Sequence, residues 1–202
     1  MKVRRRKLSA GFSFVELGVT VAVLAVVLAL SAPNIGEWVG KAKVRAGAEL
    51  LVKSLHFAQN AAVSSNRLVE ISLVDSVNPP TVDAVPADNG SAWIVRTVPD
   101  VMETAASLQA GAFEQGQNSV QIRGSDNKTL VFSGIGQIYT SIPDGSNTNT
   151  YLTSTRAYQI VTPSGQYQAC VLVQPGGNIK WCDPTIAAGV HACPGSATQS
   201  CL

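Results

Sequence analysis

The stretch KVRRRKLSAGFSFVE, residues 2–16, places a basic segment ending in Gly11 directly before a hydrophobic run. In an ordinary signal peptide the small-residue cleavage site follows the hydrophobic segment, which is then discarded. Here the candidate cleavage site, between Gly11 and Phe12, precedes that segment. The mature chain is therefore expected to keep the hydrophobic run as its N-terminus, with a single carboxylate, Glu16, near its beginning.

This arrangement resembles a type IV prepilin leader, in which Gly is followed by Phe and then by a hydrophobic run with Glu as the fifth mature residue. Gly11, Phe12 and Glu16 match those positions, and the run continues to Ala32 before Pro33. The resemblance implies that a prepilin peptidase cleaves after Gly11 and methylates the Phe12 amine. The alternatives are a generic single-pass anchor and an uncleaved signal segment.

The basic residues before Gly11 are expected to hold the N-terminus on the cytoplasmic side of a membrane. They account for five of the 15 Lys and Arg, whereas none of the 13 Asp and Glu precedes Gly11. Cleavage would therefore change the formal charge from +2 to −3. Composition does not support a globally basic, nucleic-acid-binding surface. The leader cations are Lys2, Arg4, Arg5, Arg6 and Lys7.

From Phe12 to Ala32 the chain approaches the roughly 20 residues needed to span a bilayer. We therefore expect this segment to sit in the membrane before assembly. Glu16 is the exception, since an ionisable group at that depth costs on the order of 2–3 kcal/mol unless it is paired. The prepilin resemblance implies that Glu16 pairs with the N-terminal amine of a neighbouring subunit in a filament core. The alternative is an interfacial Glu at the end of a helix.

Pro33 and the residues after it predict a helix in two parts. A proline inside a helix removes a hydrogen bond and crowds the preceding turn, so a kink or loosened turn is expected near Ala29–Pro33. Beyond it, apolar residues recur at steps of four and three, which predicts an amphipathic helix that ends near residues 64–66 and packs on a sheet. A coiled coil is the rival, but the repeat covers fewer than three heptads. The apolar stripe consists of Val44, Ala48, Leu51, Leu55, Ala58 and Ala62.

After Asn66 the composition changes to alternating strands and polar turns, which predicts one β-rich globular head. The expected fold class is α+β, with a long N-terminal α-helix packed on an antiparallel β-sheet. The predicted segments are a leader (1–11), a hydrophobic helix (12–33), the amphipathic half of the same helix (34–66) and the head (67–202).

Within the head, alternation of apolar and polar residues predicts the strands. Residues 75–90 and 139–150 are expected to be long loops, and the sequence leaves 99–113 open between a short helix and an irregular crossing. Strands are predicted at residues 69–73, 93–98, 119–123, 129–132, 158–161, 167–173 and 178–182.

All four cysteines lie in the last 33 residues, in a head that the predicted topology places outside the cytoplasm, where disulfides form. Cys170 and Cys182 are symmetric about Gly176 in a predicted hairpin, so they are expected to face each other and form a bridge. Cys193 and Cys201 are expected to form the second bridge. Zinc is the rival reading, but the spacings lack a close Cys-x-x-Cys pair.

The C-terminal half resembles the FimT and FimU minor pilins and their relative GspH, the minor pseudopilin of type II secretion. The resemblance rests on Thr129–Phe132 followed by Gly134 and Gly136, on the late hairpin, and on Trp93. It implies a type IV pilin-like fold. In FimT proteins that bind DNA, this hairpin carries Gly-Arg-x-Arg, whereas here residues 177–180 read Gly-Asn-Ile-Lys.

That departure bears on DNA capture, because phosphate binding relies on several cations and Lys does not replace Arg at a bidentate contact. DNA binding would require Arg123, Arg156 and Lys180 to converge on one surface, with Trp181 stacking on a base. The rival reading of Trp181 is a core or interface residue.

No catalytic or phosphate-binding motif is present in the sequence. His56 belongs to the long helix and His191 to the terminal cysteine loop, and neither has a carboxylate at ligand spacing. Gly134 and Gly136 precede no helical pattern and are expected to form a turn. We therefore expect neither enzyme activity nor a metal or other cofactor.

The sequence as a whole predicts a minor pilin that joins and helps prime a type IV pilus at or near its tip. The alternatives are a minor pseudopilin of a type II secretion system and a DNA-binding minor pilin for natural transformation. The expected partners are the prepilin peptidase, sibling minor pilins, the major pilin and the inner-membrane assembly platform, with DNA as a further candidate. The expected location is the inner membrane with the head in the periplasm, and then an extracellular pilus or a periplasmic pseudopilus.

Overall fold

The computed structural model describes residues 11–75, 80–100, 103–113, 120–124, 128–142, 151–194 and 201. Residues 30–35 are described by their backbone alone. Apart from Gly11, the predicted leader lies outside the described residues, as do parts of both predicted long loops. The chain divides into two compact units, with the boundary between Val39 and Gly40.

One helix, α1, runs from Phe14 to Ser65 across this boundary. Its backbone is helical through Pro33, whose side chain is not among those described. The kink predicted near Pro33 therefore stays a prediction. Gly40 begins the second unit as a packing position, because a Cβ there would lie 2.5 Å from ring atoms of Tyr167.

The helix ends in a Schellman motif, which satisfies two of its last carbonyl groups. The Arg67 amide donates to the carbonyl of Ala62 (3.2 Å), and the Asn66 amide donates to the carbonyl of Val63 (3.4 Å). Asn66 adopts the left-handed conformation that this motif requires, with φ of 51°. Asn is one of the few non-Gly residues that accept this conformation readily.

The described part of the chain contains two antiparallel sheets of five strands each. The strands are β1 (Val69–Val74), β2 (Asn89–Gly90), β3 (Ala92–Thr97), β4 (Ser107–Ala112), β5 (Gln121–Arg123), β6 (Thr129–Phe132), β7 (Ile138–Tyr139), β8 (Arg156–Val161), β9 (Gln168–Val173) and β10 (Ile179–Cys182). Sheet 1 has the order β4-β3-β1-β6-β7, and sheet 2 has the order β10-β9-β8-β5-β2. The predicted α+β class is confirmed.

The core lies between α1 and one face of each sheet. The predicted apolar stripe of the helix is confirmed, since each of its six residues is buried. Those residues pack with Ile71 and Leu130 of sheet 1 and with Ile122, Ile160 and Val171 of sheet 2 in one hydrophobic cluster. The helix therefore joins the two sheets into one head.

Seven of the strands correspond to predicted ones, whereas β2, β4 and β7 were not predicted as strands. The segment 99–113, left open by the sequence, contains β4. This strand lacks alternating apolar residues because it lies at the edge of sheet 1, with its first half exposed.

The outer face of β1 is buried, although the alternation of apolar and polar residues in this strand is typical of a half-buried one. Glu70 and Ser72 point away from the helix, but both are buried. The loop that contains Val82 and Ala84 lies over this face, because the Arg96 side chain donates to both of their carbonyls at 2.6 and 3.5 Å. Strand β1 is therefore covered on both sides.

Candidate functional site

The N-terminal part of α1 presents an apolar surface that the described residues leave uncovered. Eleven large apolar side chains between Phe12 and Leu28 are each 54–89% exposed. Glu16 lies in the first turn of the helix, where the positive end of the helix dipole favours a carboxylate. This surface, Phe12–Leu28, is here called the apolar helix surface.

Residues 11–13 precede the helix and are exposed. Phe12, the predicted first mature residue, is 81% exposed. The predicted cleavage site between Gly11 and Phe12 therefore lies in non-helical backbone, the form that a peptidase needs for access to a peptide bond. Within the described residues, no helical stretch is both long enough and apolar enough to cross a membrane.

The predicted disulfide pairing is wrong. Cys170 pairs with Cys201, and Cys182 pairs with Cys193, with Cα–Cα distances of 5.5 and 5.0 Å. Cys170 and Cys182 do lie opposite each other in the β9–β10 ladder, as the hairpin symmetry predicted. Register alone did not decide the pairing.

The observed pairing follows from whether Cys170 and Cys182 occupy a hydrogen-bonded or a non-hydrogen-bonded position of the β9–β10 ladder. The Gln174 amide donates to the Asn178 carbonyl at 2.9 Å, so this pair is hydrogen-bonded, and alternation gives Cys170 and Cys182 the same type. Side chains are farther apart at hydrogen-bonded pairs than at the other type. The segment after β10 folds back instead, since the Asp183 amide donates to the His191 carbonyl (2.7 Å) and brings Cys193 to Cys182.

The cysteines form a compact buried cluster with Leu172 on the outer face of sheet 2. The sulfur atoms of Cys170, Cys182 and Cys193 all lie within 4.8 Å of one another. Each is bonded in a disulfide, so none is a thiolate that could bind a metal. The cluster therefore closes the C-terminal region covalently.

Lys180 and Trp181, predicted together as DNA contacts, point to opposite faces of β10. Lys180 is exposed on the outer face, whereas Trp181 packs against the core on the helix side. The Trp181 ring stacks on His191 with centroids 4.4 Å apart, and the guanidinium carbon of Arg45 lies 5.3 Å from its centroid. Trp181 therefore links the C-terminal loop to α1, in agreement with the core or interface reading.

The other two predicted DNA contacts do not join Lys180. Arg123 is on the outer face, but strands β9 and β8 separate β5 from β10, so the two positions are roughly 14 Å apart across the sheet. Arg156 lies two residues before Tyr158 in β8, so it is on the same face of the sheet as Tyr158. That face is the helix side, opposite to Lys180. The structure does not bring these cations together.

Tyr158 is buried in the core near Arg156. Burial raises the pKa of Tyr158 well above its ordinary value, because the charged phenolate would lose its hydration, and the positive charge of Arg156 opposes part of this rise. Its phenol therefore stays protonated wherever the protein is folded near neutral pH.

A buried ion pair is a feature that sequence reasoning missed. Arg96 donates from Nε to Glu70 Oε2 (3.1 Å) and from Nη2 to Glu70 Oε1 (3.0 Å), a bidentate contact. Ser72 Oγ donates to the same carboxylate at 2.5 Å. Because Arg96 also binds the carbonyls of Val82 and Ala84, the pair fixes the loop to sheet 1. Glu70 and Ser72 alternate with apolar residues, so the sequence contained no signal that a loop covers them.

The family model for the type II transport protein GspH matches residues 47–177. The chain belongs to the GspH family. The matched residues include the head-facing part of α1 and strands β1–β9. This result confirms the predicted kind of protein, a minor pilin or pseudopilin, and makes it a component of a pilus or pseudopilus.

Two solved structures are similar to this GspH-family chain, and both are crystal forms of the type IV minor pilin FimU of Pseudomonas aeruginosa. The first is 18% identical, with a TM-score of 0.49, and covers 78% of this chain and 99% of that chain. The second is 17% identical, with a TM-score of 0.46, and covers 68% and 86%. No curated protein matches the chain.

Proposed function

We propose that this chain is a minor pilin that joins and helps prime assembly of a type IV pilus. The observation that carries the proposal is the apolar helix surface. The head buries its core residues between α1 and two sheets, whereas eleven large apolar side chains of one helical segment are exposed. An exposed apolar patch of this size marks a surface that is covered in the working state, by lipid or by protein.

In the proposed mechanism, the apolar helix surface is covered first by lipid and then by protein. Before assembly, the apolar segment anchors the chain in the inner membrane with its head in the periplasm, and a prepilin peptidase cleaves between Gly11 and Phe12 and methylates the new amine. During assembly, the same surface packs against the helices of sibling minor pilins and the major pilin. The exchange of lipid for protein keeps the apolar area out of water throughout.

Glu16 determines how the apolar helix surface is aligned with a neighbouring subunit when protein replaces lipid. A buried carboxylate is tolerated only with an opposite charge, and the amine of Phe12 in a neighbouring subunit supplies one. The proposed pairing sets the axial position of one subunit against the next. The chain's part in this process is structural, with the inner-membrane assembly platform driving polymerisation, and a place at or near the tip suits a priming subunit.

A type II secretion pseudopilus is the second candidate, because the matching family is described as a type II transport protein. The helix would have the same part in either fibre, so the two candidates differ in the fibre that the chain joins. We therefore choose an experiment whose readout is the fibre. The gene is deleted and complemented with the intact gene, and sheared major pilin and secreted exoproteins are both measured.

Loss of surface pilin that complementation restores supports pilus priming. Normal pili with lost exoprotein secretion support the pseudopilus instead. Normal pili together with normal secretion would contradict both candidates.

The role of Glu16 is tested separately with Glu16→Gln, which keeps the shape and removes the charge. We expect loss of pilus assembly with normal accumulation of the processed protein in the membrane. Glu49→Gln is the matched control, since Glu49 is an exposed carboxylate of the same helix that pairs with Arg45 Nε at 2.9 Å. An exposed pair of this kind contributes about 0.3–0.5 kcal/mol, so the control should assemble normally. Equal piliation in the two variants would refute the proposed charge pairing.

A further inference from the structure

Strand β4 leaves two backbone amides and two carbonyls available at the edge of sheet 1. It has β3 as its one neighbour in the strand order. The Phe113 amide donates to the Ser91 carbonyl at 2.8 Å, and alternation from this pair turns the N–H and C=O groups of Ala110 and Ala112 away from β3. In the described part of the chain, no backbone hydrogen bond outside the helix and the ladders involves either alanine.

The β4 edge lacks most of the features that protect an edge strand from pairing. Its sequence, SLQAGA, contains no charge and no proline, and Leu108 is 42% exposed. A register shift opposite Val95 and Arg96 disturbs one end, but Gln109–Ala112 pairs regularly with β3. Proteins usually block such an edge with charges, proline or a bulge along its length.

An unpaired buried donor lies beside the same edge. The Trp93 indole Nε1 is buried and has no hydrogen-bond partner among the described residues. Gly111 faces Trp93 across the ladder, and a Cβ at Gly111 would lie 2.8 Å from Cζ2 and 3.2 Å from Nε1 of the indole. The Trp93 ring therefore occupies the space that a side chain at Gly111 would fill, which brings its Nε1 edge close to the β4 backbone. A buried N–H without an acceptor is unfavourable, so this donor points to an absent acceptor.

We propose that the β4 edge is a strand-addition site for an extended segment of another polypeptide that is uncharged where it pairs with β4. The added strand pairs with the outward amides and carbonyls of Ala110 and Ala112. Apolar side chains suit the positions opposite these alanines, because both alanines pack against an apolar cluster on the outer face of the sheet. The residue opposite Gly111 carries a side-chain oxygen that accepts the Trp93 Nε1–H.

A second copy of this chain is the competing occupant. Antiparallel pairing of two β4 strands about Ala110 would place Gln109 of the second copy opposite Gly111, so an acceptor is available. That pairing has its two-fold axis perpendicular to the sheet on which α1 packs, and it therefore reverses the direction of the second helix. Subunits that polymerise in one direction, as in the proposed fibre, share one helix direction, which favours a different polypeptide.

The test uses the full chain in detergent micelles and a defined probe peptide, acetyl-Lys-Thr-Val-Asn-Val-Thr-Lys-amide. Hydrogen exchange of residues 107–112 is measured with and without the peptide. We expect the peptide to slow exchange at Ala110 and Ala112 by about tenfold or more. The same peptide with N-methylated valines, which cannot donate at those positions, should have no effect.

Two variants separate backbone pairing from other binding. Ala110→Pro removes the outward N–H at an edge position where proline is tolerated, and it should abolish the protection. Ala110→Ser keeps that N–H and is the matched control. If the proline variant loses native protection in β1, Ala110→Lys replaces it, since a charge at the edge blocks pairing while keeping the ladder. Full protection in Ala110→Pro would overturn the proposal.

The acceptor for Trp93 is tested with a second peptide in which valine replaces the asparagine. The asparagine peptide should bind about fivefold more tightly, the effect of one net hydrogen bond. Trp93→Phe should remove this preference, and a preference that survives in Trp93→Phe would overturn the assignment. Exchange that is unchanged by either peptide refutes strand addition. Protection that rises with protein concentration alone would assign the edge to a second copy and overturn the proposal as stated.

Discussion

Replacing Arg96 with methionine should destabilise the head more than any comparable change at an exposed ion pair. The substitution removes both hydrogen bonds to Glu70, at 3.1 and 3.0 Å, and leaves that carboxylate with Ser72 Oγ as its donor. It also removes the contacts of Arg96 with the loop carbonyl of Val82. The side chains of Glu70 and Arg96 are 4% and 17% exposed, so water replaces little of what is lost.

The magnitude follows from which charge is left behind. Removing one partner of a buried pair costs about 3–5 kcal/mol, and the partial exposure of Arg96 favours the lower end, about 3 kcal/mol. Glu70→Met should cost less, about 2 kcal/mol, because the remaining guanidinium keeps its loop carbonyl acceptors. The double variant, with methionine at both positions, should lie within about 1 kcal/mol of the wild type, since no unpaired charge remains.

The assay is urea unfolding of the full chain in detergent, followed by tryptophan fluorescence with the disulfides intact. Arg67→Met is the matched control, because Arg67 pairs with Glu103 at the surface and an exposed pair contributes less than about 1 kcal/mol. A loss below 1 kcal/mol in Arg96→Met would refute the reasoning. A double variant as unstable as the sum of the single changes would also refute it.

Three further predictions follow from the head. Because burial raises the pKa of Tyr158, the unfolded chain ionises first as the pH rises, so stability should fall above about pH 10, and Tyr158→Phe should lessen that fall in pH-dependent urea titrations. Gly40→Ala should cost about 1–3 kcal/mol by thermal unfolding, since its Cβ would meet the Tyr167 ring at 2.5 Å, and an unchanged melting temperature would contradict that packing. Cys201→Ser should cost about 3–4 kcal/mol, the loop-entropy value for a bridge spanning 31 residues, and peptide mapping of the unsubstituted protein should recover a Cys170–Cys201 peptide.

Regular apolar spacing made much of the fold predictable. The stripe from Val44 to Ala62 repeats with the helical period, and strands such as β1 and β9 alternate or run apolar because one face lies on the core. Both signals reflect burial against a single core, which local sequence records directly. Helix α1 and seven strands were predicted on this basis.

The edge strand β4 and the loop that covers the outer face of β1 were not predictable, because both depend on chain segments that are distant in sequence. Strand β4 has uncharged residues without apolar alternation, and they form a strand through pairing with β3, so its pattern shows no period. Glu70 is buried by a loop and by Arg96, which lies 26 residues away. A polar residue at an alternating position does not reveal whether water or a loop covers it.

The predicted site residues also fall into two groups, those identified by a local motif and those whose arrangement depends on the fold. The processing site and Glu16 are local motifs, so the sequence alone proposes them. The cysteine pairs depend on the fold-back after β10 and on the type of ladder position at Cys170, which hairpin symmetry does not report. The separation of Lys180 from Arg123 likewise depends on strand order, which local sequence does not record.

The closeness of the cysteine sulfurs bears on how the head acquires its two bridges. A bridge between Cys170 and Cys182, the pair that lie opposite in the ladder, would leave Cys193 within 4.8 Å of both sulfurs in the native arrangement. The Cys193 thiolate could then attack Cys182, form the native bond and release Cys170 as a thiolate, with one disulfide broken and one formed. Cys170 would remain for oxidation with Cys201. A mispaired chain can therefore correct itself without leaving its compact state. Because the ladder position disfavours the Cys170–Cys182 bridge, acid-quenched oxidation should show any such species disappearing in favour of Cys182–Cys193.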